Sequence, residues 1–229
     1  MSSSGRVDMK LAELTRRFRA DARDEVKPYL WSDQTIKDLL NEAEQRACVC
    51  GRLILEESDS AVCEISLSVG EHTYPLHAKL YEIVSLNIVN AAGEMQSIEL
   101  RSREWLNANE PGWRASTCLA YAAIQGDTSI RIVGEILEGD ELLIEGYRLP
   151  LGNMESDDDS PEIHESHHVH LIDWALHKAF LIPDADGFDP TKAAEREDKF
   201  TRYFGPLPDS DMRRSTRTDS VQHNEAHIF

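Results

Sequence analysis

Cys63-Glu64-Ile65-Ser66-Leu67-Ser68-Val69 alternates apolar and polar side chains, whereas the chain before it repeats with a helical period, and that change from 3.6 to 2 decides the fold. Gly70-Glu71 then turns the chain toward Tyr74 and Leu76, and Val84, Leu86 and Ile88 alternate likewise before a turn at Ala92-Gly93-Glu94. Ile98 and Leu100 end a returning strand. Ser102 is placed to cap a short helix reaching Asn109, which Pro111-Gly112-Trp113 breaks. Three further strands follow, Leu119 to Ile124, Ile130 to Val133 and Glu141 to Tyr147, with turns at Gly126-Asp127 and Glu138-Gly139-Asp140. Six or seven short strands spaced in this way predict a small antiparallel β-sandwich or barrel.

Upstream, Val7, Leu11, Leu14, Phe18 and Ala22 draw an apolar stripe along a first helix ending before Pro28, and Arg16, Arg17, Arg19, Arg23 and Lys27 make its other face basic. After Pro28-Tyr29-Leu30-Trp31, Ser32 is a good N-cap and Asp33 suits the positive end of a helix dipole. The second helix takes Ile36, Leu39, Leu40, Ala43, Ala47, Cys50 and Ile54 as its buried face and Asn41, Glu42, Glu44, Gln45 and Arg46 as its wet one. Downstream, residues 151–160 read as an acidic connection. A third helical pattern begins at Pro161-Glu162, carries Ile163, Leu171, Trp174, Ala175, Phe180 and Ile182, and stops at Pro183. A fourth follows Asp189-Pro190, packs Ala193, Ala194, Phe200, Tyr203 and Phe204, and ends at Gly205. Residues 206–229 show neither period and read as an extended tail.

The expected fold is therefore α+β. A helical bundle is built from residues 1–57 and 160–205, with the β module of 58–150 inserted and 206–229 as the tail. Trp31, Leu40, Ala43 and Trp174 are its expected core anchors.

With 42 acidic against 24 basic residues and a net charge of -18, the chain repels phosphate backbones, which excludes sequence-reading or tight coating of DNA. Its 41% hydrophobic residues suffice for a core. The longest apolar run, Cys118 to Ile124, is far below the ~18 residues of a membrane span. Met1-Ser2-Ser3-Ser4-Gly5-Arg6 lacks the apolar stretch of a secretory signal, which predicts a protein kept in the cytosol where it is made. Cys48 and Cys50, two apart on a helix, point away from each other and read as reduced structural thiols.

Two stretches invite a metal reading. His164-Glu165-Ser166-His167-His168 matches H-E-x-x-H literally, with Glu165 as the base, but it falls in a first helical turn beside an acidic loop. Asp184-x-Asp186-Gly187-x-Asp189 is like a calcium loop with its glycine at position four instead of six. No nucleophile elbow, P-loop or C-x-x-C pair is present. The four tryptophans are spread over four elements. No cofactor is called for, and two minority readings stay open: a zinc hydrolase using His164, Glu165 and His168, and a carbohydrate-binding sandwich with an exposed aromatic platform.

Leu11-Ala12-Glu13-Leu14, Pro28-Tyr29-Leu30-Trp31-Ser32-Asp33, Leu40-Asn41-Glu42-Ala43-Glu44-Gln45-Arg46-Ala47-Cys48, and later Pro161-Glu162-Ile163 with His168, Leu171, Trp174 and Ala175, together resemble the head-to-tail adaptor (connector) proteins of short-tailed bacteriophages. The likeness is dense toward both ends and weak across the β module. It implies a non-enzymatic virion protein at the head-tail junction. It implies a dodecameric ring docked on the portal protein above and on a tail or nozzle protein below, in passing contact with genomic DNA and with no membrane. In that setting Asp157, Asp158 and Asp159 are the expected channel-facing acids, within a stretch, 151–190, that carries half of the net charge. Arg16, Arg17, Arg19, Arg213, Arg214, Arg217, Ile228 and Phe229 are the expected contacts to neighbouring subunits or the portal.

Overall fold

The computed structural model describes residues 9–183 and 186–208. Val7, Asp184, Arg213, Arg214, Arg217, Ile228 and Phe229 lie outside them. The protein is mixed α+β, and its described residues divide into two compact units, one formed by the chain up to residue 54 with 148–207 and the other by 55–147.

The helical unit contains α1 (Leu11–Ala22), α2 (Asp33–Gly51), α5 (His168–Phe180) and α6 (Pro190–Phe204). Helix α5 is enclosed by others on most sides: Leu171, Ala175, Leu176 and Ala179 are fully buried, and His168 and His177 are buried too. It packs against α1, α2 and α6. Trp31, Leu40, Ala43 and Trp174 are 3, 0, 0 and 7% exposed. Phe18 and Phe180 meet the Trp31 ring edge-on, at 5.8 and 5.9 Å.

Local signals explain the helix ends. Thr35 N–H donates to Ser32 Oγ at 3.0 Å, and the Asp189 carboxylate accepts from the N–H groups of Thr191 and Lys192. Helix α1 stops at Ala22, well before Pro28, because Arg23 turns left-handed (φ 59°). Helix α5 begins at His168, not at Pro161. Residues 161–164 have no helical assignment, and Glu165–His167 form a 3-10 turn. Met154 is 3% exposed and belongs to the helical core, so residues 151–160 are part of that unit and no mere connection.

The β unit is one eight-stranded sheet built from β1 (Leu55–Glu56), β2 (Glu64–Ser66), β3 (Thr73–Pro75), β4 (Leu80–Val89), β5 (Met95–Leu100), β6 (Ala122–Gln125), β7 (Ser129–Val133) and β8 (Glu141–Arg148). The order is β1-β8-β4-β5-β6-β7-β3, and β2 also pairs with β8. The sheet is not purely antiparallel: β5 and β6 run parallel. Parallel neighbours need a long crossover, and α4 (Arg103–Asn109), capped by Ser102, with a 3-10 turn at Trp113–Ala115, supplies it. On β6 and β7, Ala123, Ile130 and Ile132 face the main core, while Ala122 and Val133 face a second cluster with Leu106 and Trp113.

The strand expected from Cys63 to Val69 is shorter than its alternation implies. Ser60–Cys63 is a helical turn, α3, because the Asp59 side chain accepts from Ala61 N–H and starts it. Val69 is 67% exposed. On β4 the inward residues are Leu80, Ile83, Leu86 and Ile88, so the phase slips on either side of Ile83 and leaves Val84 outside.

Gly134 (φ +110°) tests the tightness of this unit, since a Cβ there would lie 2.7 Å from both Ala120 Cα and Leu119 O. Gly134→Ala is expected to destabilise by roughly 2–5 kcal/mol, strain and overpacking together. Gly70→Ala, also at positive φ but facing open space, should cost only about 1 kcal/mol. Urea unfolding followed by tryptophan fluorescence separates the two, and equal losses would contradict the close approach.

Candidate functional site

Arginines on α1 divide into two kinds. Arg16 and Arg17 bracket Glu13 at 2.7 Å each and remain on the surface; their hydrogen bonds draw the Glu13 carboxyl down to about 2. Arg19 points inward. It is 7% exposed, 2.7 Å from Asp24 and 2.6 Å from Asp33, donates to the Trp31 carbonyl at 3.0 Å and stacks on Tyr29. Asp24 in turn accepts from Leu30 N–H at 2.8 Å. This node shapes the α1–α2 connection and removes Arg19 from the residues available to a neighbour. Spacing alone puts Arg19 beside Arg16 and Arg17, but it follows Phe18 on the edge of the buried stripe, where Asp24 and Asp33 neutralise it.

Asp157, Asp158 and Asp159 form the turn on which α1 starts. Lys10 has no capping side chain, and the free amides of Leu11 and Ala12 donate instead to the carbonyls of Asp159 (2.8 Å) and Asp157 (3.2 Å). The Asp159 carboxylate accepts from Ser156 and Glu155 N–H, which lowers its pKa. Asp158 pairs with Lys10 at 2.6 Å. Asp157 and Asp158 are exposed, Asp159 half-buried.

A cleft of about 490 Å³ opens beside this turn, lined by Glu44, Gly152, Asn153, Met154, Asp158, Asp159, Ser160 and Glu162. Its floor comes from the side of α2 that the residue types mark as wet. Glu44 is nevertheless 2% exposed and Asn41 8%. Asn41 exchanges two hydrogen bonds with the Met154 backbone (3.1 and 2.8 Å), and Glu44 accepts from Glu162 N–H at 2.6 Å. Arg148, itself buried, holds Glu162 at 2.6 Å. Burial pushes Glu44 up to about 7, and burial likewise pushes the Cys48 thiol up to about 12. The available signal is spacing: Leu40, Glu44 and Cys48 recur every four residues, so the buried stripe runs through Cys48 in place of the expected Cys50.

The H-E-x-x-H stretch is not a ligand pair. His164 caps the 3-10 turn through Nδ1, while His168 turns inward and donates from Nε2 to the Ile163 carbonyl at 2.8 Å. His167 and His170 pack on Tyr203 instead. Among the described residues no three His, Cys, Asp or Glu side chains group to hold a metal ion. Asp189, the last acid of the calcium-like loop, is occupied as the cap of α6. Of the four tryptophans, Trp31, Trp113 and Trp174 are buried and Trp105 is half-buried. No helix among the described residues is long and apolar enough to cross a membrane.

The arrangement thus combines a basic edge at Arg16 and Arg17, an acidic turn at Asp157 and Asp158, and a buried carboxylate, Glu44, that fastens residues 162–163 to α2. A family model described as SU10 adaptor protein matches residues 9–222, most of the chain. No curated protein matches it.

Because its folded pKa is raised, Glu44 favours the folded state below its usual value of 4.5, and that contribution is lost as pH rises toward 7. Glu44→Gln should match the parent near pH 4 and exceed it by about 3 kcal/mol at pH 8. Identical pH profiles from denaturant unfolding would contradict this. Arg19→Leu, which leaves Asp24 buried and unpaired, should cost about 3–5 kcal/mol. Arg16→Ala and Arg17→Ala should leave the unfolding midpoint unchanged in the same assay.

Proposed function

The chain belongs to the SU10 adaptor protein family, and on that premise we propose that it is a structural virion protein joining phage head to tail. In this reading identical copies close into a dodecameric ring between the portal and the tail or nozzle protein, and the ring continues the DNA channel without catalysing a reaction. The family match over residues 9–222 carries the proposal.

Charge supports it. A net charge of -18 per copy, repeated round a channel, repels phosphates and lets DNA slide without adhering. The exposed Asp157 and Asp158 suit the channel wall, with Asp159 behind them ordering the turn. Arg16 and Arg17 suit contacts with acidic residues of the adjacent copy: individually weak, such pairs fix orientation when repeated round a closed ring. The 206–229 tail, with Arg213, Arg214 and Arg217 and the apolar end Ile228-Phe229, is the segment proposed to reach the portal or a neighbouring subunit.

Negative-stain microscopy with mass determination, on the chain alone and mixed with its portal, tests the proposal. Rings are expected in at least one condition, and a monomer in both contradicts it. Charge reversal at Arg16 and Arg17 should abolish rings while leaving the fold intact. Deleting residues 206–229 should abolish portal docking.

A further inference from the structure

Phe188 is a phenyl ring held out in solvent by two backbone anchors. On one side, Gly187 lies flat against the Trp31 indole, where a Cβ would fall 2.6 Å from Cζ2. On the other, Asp189 N–H donates to the Phe180 carbonyl at 3.0 Å while its carboxylate caps α6. Between these pins Phe188 is 52% exposed. Its neighbour Asp186 is exposed and makes the knob acidic as well as aromatic, whereas the Asp189 carboxylate is taken up by the α6 cap and by Lys192 at 3.1 Å.

A surface of the opposite character lies in the β unit. A groove of about 450 Å³ is lined by Pro111, Gly112, Trp113, Ser116, Cys118 and Tyr121, with Glu110 at its edge. The Arg114 guanidinium sits 4.1 Å from the Trp113 ring centre and that of Arg131 5.6 Å. The Glu110 carboxylate accepts from the Tyr121 hydroxyl, whose pKa burial and this neighbour push up to about 12. Apart from Lys79, every lysine or arginine of 55–147 falls at 101, 103, 114 or 131, on the crossover or next to Trp113.

We propose that this groove receives Phe188 of a second copy of the chain, with Asp186 facing Arg114 and Arg131. A rigid aromatic entering an apolar groove loses little conformational freedom, and the flanking charges set its orientation. Knob and groove are different surfaces, so the contact is of the heterologous kind from which a ring can be built. The inference rests on the reading that copies of this chain associate, and names the contact between them.

Cys118, an exposed free thiol in the groove, supplies the test. A full-length chain carrying Thr191→Cys and Cys118→Ser, with Phe188 and Asp186 in place, is mixed with a size-tagged parent chain, both with Cys50→Ser, and treated with a short bismaleimide. Cross-linked heterodimer should exceed by about tenfold that formed when both chains lack Cys118, and Phe188→Ala or Arg114→Glu should remove the excess. Equal yields would overturn the proposal. Microscopy of the same samples keeps the two readings apart. Rings without the cross-linked heterodimer would reject this contact and leave the adaptor reading standing, whereas the heterodimer without closed rings would support the contact and count against the ring.

Discussion

The helical unit is assembled from two stretches of chain interrupted by residues 55–147, and it closes through a small set of hydrogen bonds directed at backbone. Asn41 pairs with Met154, Glu44 takes the amides of Glu162 and Ile163, and the first amides of α1 find the carbonyls of Asp157 and Asp159. These groups lie in or beside an apolar core, where an unmet donor costs more than a met one gains. The returning segment therefore has one register on α2. The placement of α1, and through it the exposed Arg16 and half-buried Arg17, follows from that register.

The strong acidity of the sequence is only partly a surface property. Asp24 neutralises a buried arginine, Glu44 fastens a loop, Glu162 holds Arg148, and Asp159 and Asp189 order local turns. A charge count treats these as equivalent to Asp157 or Asp158, which are exposed to solvent. The distinction matters for a protein proposed to line a DNA path, because only exposed carboxylates repel phosphate at a distance while buried ones tune stability.

Much of the architecture was legible in the sequence because periodicity and capping are local. The change of period near residue 63, the caps at Ser32, Ser102 and Asp189, and the stop at Gly205 all act within a few residues of themselves. What escaped was non-local. Asn41, Glu44 and Arg19 look solvated because their residue types usually are; only partners far along the chain, or beyond a connection, make burial tolerable. The parallel pairing of β5 with β6 escaped because alternation gives a strand no direction. The His164–His168 spacing misleads for a different reason. Four residues apart means a shared face only on a continuous helix, and the chain there is extended before a 3-10 turn.

The chain enters and leaves the β unit at one place: Leu55 is the ladder partner of Tyr147, and just beyond them the Arg148 amide bonds the Ile54 carbonyl. The inserted unit is in effect a cassette whose two ends pair as a two-stranded stem. Such a cassette can finish folding from contiguous chain as it is synthesised, whereas the helices before it must wait for partners more than a hundred residues later, at the loop-closure cost that distant contacts carry. The same stem is a natural point for exchange in evolution. What lies between 54 and 148 can change in length or sequence while its two ends stay paired at that stem.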